Sequence, residues 1–287
     1  MIKDQQWYED EYWNWMPLEF YYSDEWAVKS EAYLADAPVL KNLAYGEKPD
    51  EVLDLFLPSG KNRKAPVLIF VHGGYWQWLD KDHYAFSLEP VRAAGAIVAS
   101  INYTLCPENS IPGIVEQVRK ACAYIYCNIE TRHGDRNNMH VTGHSAGGHL
   151  AAMIASTNWK SLDPELPDNL IKSAIPSSGI FDMNNMRNTP QINEGLKLDE
   201  ESANQNSPIF LNPTHDLRVS VIVGSDESEA FILESKEFAD SWSPKLTNIK
   251  YIEIPDVHHF SLINNMINID DPFTNVILDH LDLSGPG

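Results

Sequence analysis

The apolar positions of this chain fall into two alternating patterns. Val67-Leu68-Ile69-Phe70-Val71 is apolar throughout and of strand length, the signature of a parallel strand buried on both faces. Comparable runs lie at 52–57, 96–101, 171–177, 219–223 and 251–254, with one more ending Met139-His140-Val141-Thr142. Between them the spacing becomes helical. Ile114, Val118, Ala121 and Ile125 mark a helix over 111–131, with Pro112 near its start. Further helices are expected after Gly147, over 229–242 and over 272–283, and Lys61-Asn62-Arg63-Lys64 reads as a turn. Strands alternating with helices predict a mostly parallel central sheet covered on both faces, with ligands at the carboxyl ends of its strands.

Residues 1 to about 45 have another texture. Trp7, Tyr8, Tyr12, Trp13, Trp15, Phe20, Tyr21, Tyr22 and Trp26 are interleaved with acids, too aromatic for a disordered tail. The segment is expected to pack on the domain, as a hydrophobic brace or as part of a cap over the active site. No repeat or linker divides the 287 residues, so one domain over 1–287 is expected.

Composition narrows the class of partner. The net charge of −20 would repel nucleic-acid phosphates and anionic membranes. No apolar run reaches the length needed to span a bilayer, and the start, Met1-Ile2-Lys3-Asp4, lacks the basic and apolar regions of a secretory signal. Cys106, Cys122 and Cys127 are few and odd in number, which fits reduced thiols. The expectation is a cytoplasmic protein, monomer or homodimer, acting on a small molecule without metal, membrane or nucleic acid.

The chemistry is carried by Gly143-His144-Ser145-Ala146-Gly147, placed between a strand and an Ala-rich helix. That is the setting of a nucleophile elbow, whose sharp turn lifts a serine above the sheet. Ser145 needs a base, and the base an orienting carboxylate, in the chain order serine, acid, histidine. Asp226 follows a late strand and is favoured as the acid, with Glu227 its competitor; Glu229 reads as the first turn of the next helix. Of the adjacent His258 and His259, which cannot face the same way, His259 is favoured as base. His72-Gly73-Gly74 follows the first central strand, and its glycines would donate backbone N–H groups to an oxyanion together with Ala146. His72 is read as locking that loop. Tyr75, Trp76 and Trp78 are expected to line the substrate pocket. His144 and His149 lack a third partner for a metal, and no zinc-helix, phosphate-loop or dinucleotide motif is present.

Taken together, His72-Gly73-Gly74-Tyr75-Trp76, Gly143-His144-Ser145-Ala146-Gly147, Gly224-Ser225-Asp226-Glu227-Ser228 and Asp256-Val257-His258-His259-Phe260 resemble the arylformamidases, or kynurenine formamidases. These form a branch of the α/β-hydrolases near the hormone-sensitive-lipase-like esterases. The resemblance runs from about residue 45 to the C-terminus. It implies an α/β-hydrolase fold and cofactor-free hydrolysis of N-formylkynurenine to kynurenine and formate, in tryptophan breakdown. It implies the triad Ser145, Asp226 and His259. The family often has Asp at the position of His258. Its esterase relatives make short-chain ester hydrolysis the alternative activity.

Overall fold

A computed structural model describes residues 3–59 and 64–284. The turn read over 61–64 lies outside those residues except for Lys64, which has φ 67°. Eight strands form one sheet in the order β1-β2-β4-β3-β5-β6-β7-β8. These are β1 (Val39–Ala44), β2 (Val52–Phe56), β3 (Ala65–Val71), β4 (Ile97–Ile101), β5 (Gly134–His144), β6 (Ser173–Ser177), β7 (Arg218–Gly224) and β8 (Ile249–Ile254). β2 runs antiparallel to both β1 and β4, and every other pairing is parallel.

Twelve α-helices accompany the sheet among the described residues. They are α1 (Gln5–Tyr8), α2 (Met16–Leu34), α3 (Glu89–Ala93), α4 (Ile111–Asn128), α5 (Ala146–Ala155), α6 (Trp159–Leu162), α7 (Met183–Arg187), α8 (Pro190–Leu196), α9 (Glu200–Gln205), α10 (Glu229–Trp242), α11 (Ser261–Asn265) and α12 (Pro272–His280). Side chains alternate across a strand, so β3 feeds two cores. Val67, Ile69 and Val71 pack with Ile114 and Val118 of α4, Leu150 of α5 and Phe238 of α10. Leu68 and Phe70 pack on the opposite face with Val91 of α3, Ile263 of α11 and Ile277 of α12. The helices thus cover both faces, as the alternation of the sequence requires.

The seven expected strands are present, each with ends shifted by a few residues. β1 was not anticipated. Its positions are half-buried or exposed, and Asn42 interrupts the pairing at φ 54°, its N–H donating to Asp54 Oδ1 at 2.7 Å. The helix from Ile111 ends at Asn128 and gives way to a 3-10 turn, Ile129–Arg132.

The N-terminal segment crosses the carboxyl side of the sheet. After α1 comes a π-helical turn, Glu9–Trp13, then α2. Tyr12 and Met16 belong to one core and Trp26 to the other, so the segment clasps both faces. Polar bonds hold it at several points. The Tyr12 hydroxyl donates to Glu234 Oε1 at 2.7 Å, Trp26 Nε1 donates to Asn264 Oδ1 at 2.8 Å, and the Ala230 N–H donates to Glu11 Oε2 at 2.8 Å. Among the described residues no helix is long and apolar enough to cross a membrane.

Candidate active site

β5 ends at His144 and α5 begins at Ala146, which leaves Ser145 alone to make the turn. Its backbone sits at φ 58°, ψ −119°, a region that a residue with a Cβ occupies only under constraint, at about 1–3 kcal/mol. The surroundings supply that constraint. The Ser145 N–H donates to Ser177 O at 3.0 Å and its carbonyl accepts from His149 N at 3.1 Å. On the inner side α5 lies so close to β3 that a Cβ on Gly147 would overlap the Val71 carbonyl oxygen. Ser145 Oγ is buried and makes no hydrogen bond among the described residues. A constrained turn has therefore delivered a hydroxyl that no structural partner uses.

His259, on the loop between β8 and α11, has its Nδ1 2.7 Å from Glu227 Oε2. Glu227 has no exposed side chain, and its other oxygen accepts from the Gly224 N–H at 2.8 Å and the Ser178 hydroxyl at 2.5 Å. A carboxylate held by three donors fixes the imidazole's tautomer and direction, leaving Nε2 free for chemistry. The carboxylate partner of His259 is thus Glu227 and not Asp226. The Asp226 N–H is bonded to Val257 O at 2.9 Å, and its side chain is exposed, taking only the Ser225 hydroxyl at 3.1 Å. The chain turns here, closed by the Glu227 N–H to the Gly224 carbonyl at 3.3 Å, and the Asp226 bond to Val257 fixes which of the two side chains faces inward. The extra methylene of glutamate spans the remaining gap.

His144 connects the serine to the histidine. Its ring lies 4.4 Å from that of His259, and its Nε2 donates to the His259 carbonyl at 3.0 Å. Burial holds the His144 pKa well below its ordinary value, so the ring is neutral with the proton on Nε2. Phe231 flanks His259 from the other side at 4.5 Å. The base is therefore clamped between two rings. His258 points away, with Nε2 3.3 Å from the Tyr22 hydroxyl, and its backbone N–H donates to Ser261 Oγ at 2.8 Å.

The loop after β3 is bent by successive positive φ values at Gly74 (106°), Tyr75 (48°) and Trp76 (59°). His72 locks it, as the sequence implied. Its ring stacks on Tyr103 at 4.1 Å, its Nδ1 bonds Gly73 O at 2.8 Å, and burial lowers its pKa to about 4. Gly73 faces the serine: a Cβ there would stand 3.2 Å from Ser145 Cβ and 2.7 Å from His144 O. The loop and the first N–H of α5 thus approach Ser145 from two sides, the arrangement of an oxyanion hole.

Of the three aromatic residues expected in the pocket, one is there. Tyr75 lines a narrow cavity beside His259, with free space of about 10 Å³. Trp76 is fully buried beneath the loop with its ring edge-on to His149 at 5.0 Å, and so is not a pocket residue. Trp78 is half-buried against Phe20 and Tyr75, outside the cavity wall. Two consecutive positive φ angles turn successive side chains to different sides, which a string of aromatics does not reveal.

The rest of the wall is Trp15, Glu19, Ser228, Phe231 and Phe260. Two of these belong to the N-terminal segment, which is therefore brace and cap together. A signal for it existed: Trp15, Glu19, Tyr22 and Trp26 are spaced 4, 3 and 4 residues apart, one stripe of a helix.

The BD-FAE family description matches residues 53–226. The kynurenine formamidase of Danio rerio is 32% identical over 83% of this chain and 80% of its own length. The esterase LipC of Mycobacterium tuberculosis is 28% identical over 78% of this chain and 60% of its own. Among solved structures, a proposed thioesterase from Silicibacter sp. is 29% identical with a TM-score of 0.78, covering 89% of this chain and 92% of that one. The chain belongs to the BD-FAE family and is an α/β-hydrolase enzyme of the serine-hydrolase type, akin to the kynurenine formamidases.

Proposed function

We propose that the protein is an arylformamidase that cleaves N-formylkynurenine to kynurenine and formate, with Ser145, His259 and Glu227 as its triad. The observation that carries the triad is the 2.7 Å bond from His259 Nδ1 to the buried Glu227, beside a constrained serine whose hydroxyl is unpartnered. Such hydroxyl-to-base bonds are often open in the free enzyme and close with substrate. Ser145 Oγ attacks the formyl carbon while His259 Nε2 takes its proton. The N–H groups of Gly73, Gly74 and Ala146 receive the oxyanion. His259 then protonates the departing aryl amine. Water, deprotonated by the same nitrogen, releases formate from the formyl-serine.

The wall favours an aryl leaving group. Trp15, Tyr75, Phe231 and Phe260 surround His259 in a small space, and a formyl group needs no acyl pocket beyond it. The relatives support both this reading and the alternative, a carboxylesterase of short-chain esters. The deciding measurement is kcat/KM for N-formylkynurenine, p-nitrophenyl acetate and p-nitrophenyl butyrate on one preparation. Efficient cleavage of the formamide with poor cleavage of butyrate is expected; the reverse order establishes the esterase instead. The cytoplasm is the proposed location, supported by Cys106, Cys122 and Cys127 all being free thiols.

A further inference from the structure

Six acidic side chains are buried among the described residues: Glu19, Glu51, Asp54, Glu227, Glu234 and Asp271. Five are engaged. Glu51 pairs with Lys120, Asp54 with Lys81 and the Asn42 N–H, and Asp271 accepts from the Thr274 N–H. Glu227 and Glu234 take three and four donors respectively. Glu19 is the exception. It is 5% exposed, sits in the wall of the cavity beside His259, and its carboxyl accepts no hydrogen bond among the described residues.

A buried acid without a donor is costly and is rarely kept for packing. The cost is visible here, since burial raises the carboxyl's pKa against the pull of His259 and His83. Apart from His259, whose Nδ1 is taken by Glu227, the other cavity walls offer Glu19 no titratable base; they are the rings of Trp15, Tyr75, Phe231 and Phe260 and the Ser228 hydroxyl. Those aromatic faces also favour a positive charge between them.

We infer that Glu19 is a specificity-determining residue that receives a primary ammonium group carried on the leaving-group side of the substrate. The inference rests on the hydrolase reading above and deepens it by assigning the residue that recognises an amine a few bonds from the ring. The bound ammonium supplies the donors that Glu19 lacks. It also sets where the ring lies against Tyr75 and Phe231, and hence where the formyl carbon meets Ser145.

The test uses matched pairs. N-formylkynurenine is compared with its desamino analogue, and an aryl ester bearing an aminoalkyl group with its methyl isostere. For the wild-type protein the ammonium member of each pair is expected to lead by tenfold or more in kcat/KM, most of it in KM. In Glu19→Gln the ratio should collapse toward one; in Glu19→Asp, which restores the charge, part of it should return. The ratio is internal to each preparation, so a partly unfolded variant still reports it. Asp226→Asn removes an exposed acid from the same −20 background and should leave the ratio as it was, separating a local contact from general attraction of cations.

A wild-type ratio near one, or a ratio unchanged in Glu19→Gln, overturns the inference. If the formamides are inert and the esters are cleaved, the formamidase reading fails alone and the ester pair still decides the role of Glu19. Inertness of both pairs sinks the two together.

Discussion

At the scale of single residues, the choice between Glu227 and Asp226 is the sharpest outcome. Both follow Gly224 in a loop where sequence order requires an acid, and chain order alone cannot tell them apart. The difference is made by the Asp226 N–H bond to Val257 O, a contact between two loops about 30 residues apart in sequence. Glu227→Gln should therefore lower kcat by up to about ten-thousand-fold, the scale seen for the orienting carboxylate of serine proteases. Asp226→Asn should cost less than about tenfold in the same assay. Ser145→Ala should abolish turnover and labelling by a fluorophosphonate, a loss on the order of a million-fold. Labelling that persists in that variant would place the nucleophile at another residue. Ser145 is legible because its motif fixes it, and strand order confines the base to His258 or His259; the bond to Glu227 selects His259. Trp76 was misread because its direction depends on left-handed backbone angles at Tyr75 and Trp76.

At the scale of elements, the strands were legible wherever they are buried on both faces, since β3, β4 and β6 present buried positions throughout. β1 and the short helices α7 to α9 were not, because their periodicity is brief and their burial partial. The N-terminal segment was read as packed but without a place. Its position is specified by partners more than 200 residues away, such as Glu234 for Tyr12. Glu234 accepts from the Tyr12 hydroxyl, the Phe181 and Asp182 N–H groups and Asn185 Nδ2, so it joins the cap, α7 and α10. Tyr12→Phe removes one of the four donors and should destabilise the protein by about 1–3 kcal/mol in urea unfolding. A loss below about 0.5 kcal/mol would mean that the cap docks by its apolar face alone.

At the scale of the whole molecule, Glu234 also links stability to pH. Burial raises its pKa to about 7, above the value near 4.3 expected for the unfolded chain. A group raised on folding contributes fully below the unfolded value and loses that contribution as pH climbs through the folded one. In Glu234→Gln this dependence is absent. The stability of the wild type relative to that variant should therefore fall by about 1.4 kcal/mol per pH unit between roughly pH 4.5 and 7, then level off. Urea titrations at pH 5, 6, 7 and 8 measure it. A difference that widens with pH would show instead that the four donors keep the carboxylate ionised.

The cap's anchorage bears on how the chain is made. On a ribosome α2 emerges early, while Asn264, which holds Trp26, follows 238 residues later. At 5–20 residues per second that delay is roughly 12–48 s. Through that time Tyr22 and Trp26 lack Phe260 and Asn264, two of the partners on which they dock, and the interval is a window for chaperone capture or aggregation. Chains stalled near residue 225 should be clipped by protease within 16–34, whereas chains with residue 280 outside the exit tunnel should resist. The segment that follows β8 thus closes the active site, and a nascent chain stays without activity until His259 and α11 have folded onto the rest.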